Sequence, residues 1–239
     1  MNASPPTPGE GATIRERTGW VLDRIAEAER RAGCPPGAVK LVAVSKTQSL
    51  PRILEAHAAG LSVFGENYVQ EAAEKVPALP GAEWHLIGKL QGNKVRRAVS
   101  LFAWIQTADS ATRLAEISRC GVEAGKVVPA LIEVNVAAEG SKAGASPEDL
   151  PSILASSAPL PGVRVEGLMA IPPWTESPEA TRPHFIRLRE LRDLLSRESG
   201  TALRELSMGM SHDFEVAIGE GATMVRVGTA IFGSRRGRG

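Results

Sequence analysis

The chain has 239 residues, 43% of them hydrophobic and 23% charged, an ordinary composition for a soluble globular protein large enough to bury a substantial core. Its 28 Lys and Arg against 27 Asp and Glu leave a net charge of +1, which argues against a nucleic-acid or anionic-membrane binder. The two cysteines, Cys34 and Cys120, lack a neighbouring Cys or His, so neither a zinc site nor a redox pair is expected and a reducing cytoplasm suits them.

Residues 1–12 are rich in Pro, Gly and Ser and are expected to be disordered; they carry no signal-peptide pattern. Residues 13–32 follow a helical period with Ile14, Trp20, Val21, Ile25 and Ala26 on one face. Short apolar, β-branched runs then alternate with charged amphipathic ones. Strands are expected at 41–45, 62–65, 84–88, 101–106, 128–135, 163–170, 203–208 and 223–227, with helices at 50–59, 67–76, 90–99, 110–124, 147–157, 178–199 and 212–219. The strands read as continuous apolar runs, the pattern of parallel strands covered on both faces. Eight such strands with seven helices between them predict one (β/α)8 barrel over residues 13–239, in preference to an open doubly wound sheet. No window has the roughly 18 apolar residues that a membrane span needs.

In a barrel, chemistry belongs at the C-terminal ends of the strands. Strand 1 ends in Ser45-Lys46-Thr47. Lys46 is either an ordinary solvated lysine or a buried amine whose lowered pKa suits Schiff-base chemistry. The ends of strands 7 and 8 carry Ser207-Met208-Gly209-Met210-Ser211 and Arg226-Val227-Gly228-Thr229, two Gly and hydroxyl-bearing turns before helix starts, which together favour a phosphate site. Arg226 should face the barrel interior and needs a partner there, with Glu133 and Glu166 as candidates. Asn67, Tyr68, His85, Lys89, Asn135 and Met169 stand at other strand ends. His85 alone reads more readily as a satisfied core residue than as a functional one, and His57, His184 and His212 lack metal-ligand spacing. Residues 136–146, with Lys142, read as a flexible loop on the active face. Arg235, Arg236 and Arg238 read as a solvated basic tail.

Six collinear stretches, AVSKTQS, FGENYVQE, WHLIGKLQGNK, EVNVAAEGSKAG, GLMAIPP and LSMGMSHDFEVAIGEGATMVRVGTAIFG, span nearly the whole chain after residue 40. They resemble the pyridoxal phosphate homeostasis proteins, whose fold is similar to the N-terminal barrel of alanine racemases. The resemblance implies pyridoxal 5′-phosphate (PLP) held covalently by Lys46 as a Schiff base. It further implies phosphate-binding groups at Ser207, Gly228 and Thr229, with Met208 and Ser211 in the same loops. Arg226 would face the pyridine nitrogen, and Asn67 and His85 would line the pocket. Departures from the family pattern are small: Lys89 and Gly92 interrupt the strand-3 motif, and His212 and Phe214 follow the phosphate loop.

A cation at the pyridine nitrogen opposes its protonation and makes the ring a poor electron sink. The expected role is therefore storage and delivery of PLP to PLP-dependent apo-enzymes in the cytoplasm, by a non-catalytic protein that is a monomer or weak homodimer. A racemase of low activity is the alternative, with Tyr68 as the single tyrosine available as a second base. A Schiff-base aldolase is a further rival, distinguished by a lack of PLP absorbance.

Overall fold

Eight parallel strands pair in chain order and close on themselves: β1 (Lys40–Val44), β2 (Val63–Glu66), β3 (Glu83–Leu86), β4 (Trp104–Ala108), β5 (Val128–Glu133), β6 (Val163–Met169), β7 (Glu205–Met210) and β8 (Met224–Val227). This is the expected (β/α)8 barrel. The structure, a computed structural model, describes residues 8–9, 11–137 and 143–233. Lys142 and the C-terminal arginines lie outside these, as does most of the stretch 1–12 expected to be disordered. Of that stretch, Gly9 and Ala12 accept hydrogen bonds from the Arg17 guanidinium.

Helices α2 (Leu50–Ala58), α3 (Val69–Lys75), α4 (Val95–Leu101), α5 (Ala111–Glu123), α6 (Leu150–Ser157), α7 (Arg182–Ser199) and α8 (Phe214–Gly219) follow the first seven strands, and a one-turn α9 (Thr229–Phe232) follows the eighth. The remaining gap in the outer ring is filled by α1 (Ile14–Ala32), packed on α8, α9 and α2. The sequence specifies both ends of α1. Thr13 and Glu16 form a reciprocal capping box, and Gly33 closes the last turn at φ 69°. Its inner face buries Ile14, Val21, Ile25 and Ala28, and Arg24 ties it to Glu215 of α8. Each of those apolar side chains except Ala contributes roughly 1.5–3 kcal/mol by leaving water.

Most of the apolar core lies between strands and helices. A small apolar cluster inside the barrel joins Leu131, Met169 and Met224, with Trp104 against them, and buried Val42 lies in register with Arg226. Buried polar side chains, among them His85, Gln106, Ser207 and Arg226, share the interior.

Four expectations are corrected. The fourth strand begins at Trp104 rather than residue 101, because the apolar run Leu101–Ile105 spans the end of α4 and the start of β4; Phe102 N–H still bonds to Ala98 O in helical fashion. Hydrophobicity alone cannot place a boundary inside such a run. The seventh strand runs to Met210 rather than residue 208, so Gly209 and Met210 continue the strand that holds Ser207 and Met208, and the turn starts at Ser211. Glu166 does not partner Arg226: a register shift where Val165 aligns with Ala130 and Gly167 with Leu131 leaves Glu166 paired with Arg164. The helices expected from 90, 147 and 178 open with single 3-10 turns, and their α-helical parts start at Val95, Leu150 and Arg182.

No helix among the described residues is long and apolar enough to cross a membrane. Among the described residues no cluster of three or more His, Cys, Asp or Glu could hold a metal ion.

Candidate functional site

Lys46 is half-buried in the turn just beyond β1. The turn is held in an uncommon conformation. Thr47 has φ 64°, the left-handed region, and is the one described non-glycine residue with a positive φ. For a β-branched residue this costs about 1–3 kcal/mol, so the surroundings must enforce it. They do so through a buried carboxylate–ammonium network. Glu71 accepts from Thr47 N–H at 2.6 Å and from Lys75 Nζ. Lys75 Nζ also donates to the Ser45 carbonyl and to Glu66 Oε1, both at 2.8 Å. Ser45 Oγ donates to the same Glu66 oxygen at 2.6 Å. Burial pushes the Glu66 carboxyl above its usual range, while the bonds from Lys75 and Ser45 oppose that shift. The other Glu66 oxygen, Oε2, is buried with no hydrogen-bond partner. The network brackets Lys46 on the two residues either side of it.

Asn67 ends β2 and is half-buried. Gly88, at the end of β3, lies against it so closely that a Cβ there would be 2.4 Å from the Asn67 carbonyl oxygen. Only glycine permits this approach.

The strand ends that follow in space are those of β7 and β8. Val42 of β1 aligns with Arg226 and Ala43 with Val227, so the Lys46 turn and the Gly228 turn rise from neighbouring strands. Ser211 Oγ accepts from the backbone N–H of Gly228 at 3.1 Å and of Ala230 at 3.2 Å. The end of β7 before it needs Gly209, at φ 88°, where a Cβ would lie 2.6 Å from that of Ala217. Thr229 is exposed beside Gly228. At the rim, Trp174 (74% exposed) stacks on His212 at 6.2 Å between ring centroids.

Arg226 is buried inside the barrel. Its Nη1 donates to Ser207 Oγ at 2.7 Å and its Nη2 to the Ala170 carbonyl at 2.9 Å. Burial pulls the guanidinium down to about 10, opposed by attraction from Glu133 and Asp213. Of the two expected partners, then, Glu133 acts on Arg226 through space, and Glu166 is spent elsewhere. Ser207 Oγ, which accepts from Arg226, donates its proton to Gln106 Oε1 at 2.6 Å. Met208 turns its side chain into the core outside the barrel. His85 is wholly buried, stacked on Trp104, with Nε2 at 2.7 Å from Glu83 Oε1 and Nδ1 at 2.7 Å from Gln106 Nε2. Thus Lys46, Ser211, Arg226, Gly228 and Thr229 gather on the ends of β7, β8 and β1. Ser207 and His85 lie deeper, within the barrel wall.

The model of the alanine racemase N-terminal domain family matches residues 22–236. A pyridoxal phosphate homeostasis protein of Aquifex aeolicus is 48% identical over 92% of this chain and 98% of its own length. The chain belongs to the pyridoxal phosphate homeostasis protein family. Another member, from Pseudomonas aeruginosa, is 47% identical over 94% of this chain and 96% of its own. The structure of PipY from Synechococcus elongatus with PLP bound superposes with a TM-score of 0.79 at 38% identity, covering 92% of this chain and all of that one. Alanine racemase of Clostridium difficile shares the fold alone, at 13% identity, and this chain covers 60% of it.

Within this homeostasis-protein barrel, sequence reasoning missed Gln106, Glu83, Glu71 and Lys75. Gln106 sits in an apolar strand whose register with β5 shifts between Ile105 and Ala108, so period-2 counting does not say which way it points. Glu71 and Lys75 are four apart on α3 and look like a solvent-facing helical pair; only the buried Glu66 behind them shows otherwise.

Proposed function

We propose that this chain binds PLP covalently through Lys46 and acts in cytoplasmic vitamin B6 homeostasis, storing the cofactor and delivering it to PLP-dependent apo-enzymes. The observation that carries the reading is the convergence on three neighbouring strand ends of an amine, a buried cation and an anion cradle. PLP presents the complementary groups: an aldehyde, a ring nitrogen and a phosphate.

The residues fit such a ligand. The Gly228 and Ala230 N–H groups now shared by the Ser211 hydroxyl form a donor set suited to phosphate oxygens, and Ser211 and Thr229 add hydroxyl donors. A Cβ on Gly228 would stand 3.3 Å from Val44, so a side chain there would crowd this cradle. Bound there, PLP would supply an aldehyde carbon that the Lys46 amine can capture as a Schiff base. The rigid Thr47 turn directs Lys46 to one place. Arg226, still cationic at neutral pH, would disfavour a proton on a ring nitrogen set against it, which suits holding the cofactor more than carbanion chemistry. Asn67 lines the side of β2. Ser207 and His85 support the site from below, and Met208 supports it through packing.

Tyr68, the base a racemase would need here, is 59% exposed in the turn after β2. We read the protein as non-catalytic.

The test is the absorption spectrum of the purified protein with and without added PLP, repeated for Lys46→Ala. The wild type should show the visible band of a lysine-bound PLP, moved by borohydride, and the variant should lack it. A wild type that takes up no PLP would overturn the reading and favour an aldolase-like site. Racemisation of alanine by the wild type, lost in Tyr68→Phe, would overturn the non-catalytic assignment.

A further inference from the structure

A single line of hydrogen bonds runs through the barrel interior beneath Arg226. Arg226 Nη1 donates to Ser207 Oγ at 2.7 Å, and Ser207 Oγ to Gln106 Oε1 at 2.6 Å. Gln106 Nε2 meets His85 Nδ1 at 2.7 Å, His85 Nε2 meets Glu83 Oε1 at 2.7 Å, and Lys40 Nζ donates to the same Glu83 oxygen at 2.9 Å. The polarity of every link follows from chemistry. A guanidinium only donates, so Ser207 must accept from it and pass its one proton onward. Gln106 receives that proton on its carbonyl oxygen and therefore turns its NH2 group to His85. His85 must then be bare at Nδ1 and carry its proton on Nε2, facing the Glu83 carboxylate. Burial keeps His85 below its ordinary pKa, in accord with this neutral tautomer; the charged groups acting on it are Glu83, Lys40 and Glu205.

Gln106 is, with the His85 ring, one of two members of this line that can be reversed in place. The reversed amide would aim its NH2 at Ser207 Oγ, which already accepts from Arg226, and would turn the hydroxyl proton out of the line. With the amide as it stands, Arg226 is anchored at two nitrogens, by Ser207 and by the Ala170 carbonyl, and its plane is set.

We propose that Gln106 is a positioning residue for the PLP site: with its amide held by His85, it fixes Ser207 and through it the Arg226 guanidinium that meets the ring nitrogen. The proposal rests on the PLP reading above. Charge-assisted bonds are the stronger ones, so freeing the guanidinium should weaken PLP binding about tenfold or more.

The experiment titrates apo wild type, Gln106→Leu, Gln106→Glu and Ser207→Ala with PLP, following the visible band between about pH 6 and 9, with apo melting curves alongside. Gln106→Leu should bind PLP about tenfold more weakly and move the pH at which the bound band interconverts. Gln106→Glu keeps an acceptor oxygen for Ser207 but sets its other oxygen against the bare His85 Nδ1, so it should recover affinity only toward the acid end of that range, where His85 can take up a proton. A folded Gln106→Leu with wild-type affinity and pH profile would overturn the proposal, as would equal losses in Gln106→Leu and Gln106→Glu at the acid end. If Gln106→Leu does not fold, Ser207→Ala decides: a moved pH profile supports the proposal and an unmoved one overturns it. A wild type without any PLP band would instead sink the PLP reading itself.

Discussion

Glu83 and His85 act on stability in the same direction on the acid side of neutrality. The His85 hydrogen bond holds the Glu83 carboxyl at about 2 against an opposing burial effect, with Lys40 adding to the shift. Burial holds His85 below its ordinary range despite the pull of Glu83. Both groups therefore bind fewer protons in the native state than in the unfolded chain, and stability must fall as pH drops. The His85 share goes first, below its ordinary value near ~6.5. The Glu83 share is lost between its ordinary 4.5 and about 2. Melting temperature against pH should accordingly show two acid legs, and Glu83→Gln should flatten the lower one while steepening the upper, because the pull that opposes the burial of His85 is lost. Parallel curves for the two proteins would refute the assignment. Little of this was legible from the sequence. Lys46, Arg226, Gly228 and Thr229 could be found because each sits at a strand end with a chemistry of its own. Gln106 and Glu83 matter only through what they touch, and the Gln106 contacts, to His85 and Ser207, join strands 20 or more residues apart.

At the scale of elements, the order of strands and helices was readable because parallel strands and amphipathic helices leave different hydrophobic periods. Boundaries were not readable where one apolar run serves two elements, as in Leu101–Ile105, or where a strand continues through glycine, as β7 does at Gly209. The second case bears on the candidate site, because extending β7 to Met210 shortens the turn expected over Ser207–Ser211 to one that starts at Ser211 and leaves Ser207 in the barrel wall. Strand ends also meet through backbone contacts that no period records. The Gly88 approach to Asn67 is the clearest. Gly88→Ala would place a methyl group 2.4 Å from the Asn67 carbonyl, and backbone on both sides cannot yield cheaply. The expected cost is about 1–3 kcal/mol, read as a lower melting temperature, together with weaker PLP uptake because Asn67 is displaced. Gly167→Ala is the control. It clashes with the Glu205 carbonyl at 1.9 Å, within the β6–β7 pairing and away from Asn67. It should lower stability without a specific loss of PLP affinity in the molecules that remain folded. Equal affinity losses in the two variants would show that the Gly88 contact has no particular tie to the site.

For the whole molecule, closure of the barrel is what brings the first strand beside the last. Lys46 and Gly228 are 182 positions apart in the chain, yet their strands pair directly. A ligand bonded to Lys46 on one side and to the Ser211–Gly228 cradle on the other would therefore act as a staple across the seam where the chain's two ends meet. Such a ligand binds the native state far more tightly, because the unfolded chain keeps the lysine but loses the cradle and Arg226. Mass action then stabilises the fold by roughly 2.7 kcal/mol at a PLP concentration about 100 times its Kd. For a domain of this size that corresponds to a melting-temperature rise of roughly 5–10 °C. Lys46→Ala retains the cradle, so its rise at the same PLP concentration should be smaller but still present, and pyridoxal without the phosphate should raise the wild type far less. An equal rise for both ligands would place the affinity in the lysine alone and remove the cradle from the account. A full rise in Lys46→Ala would do the reverse, leaving phosphate recognition as the bond that closes the seam.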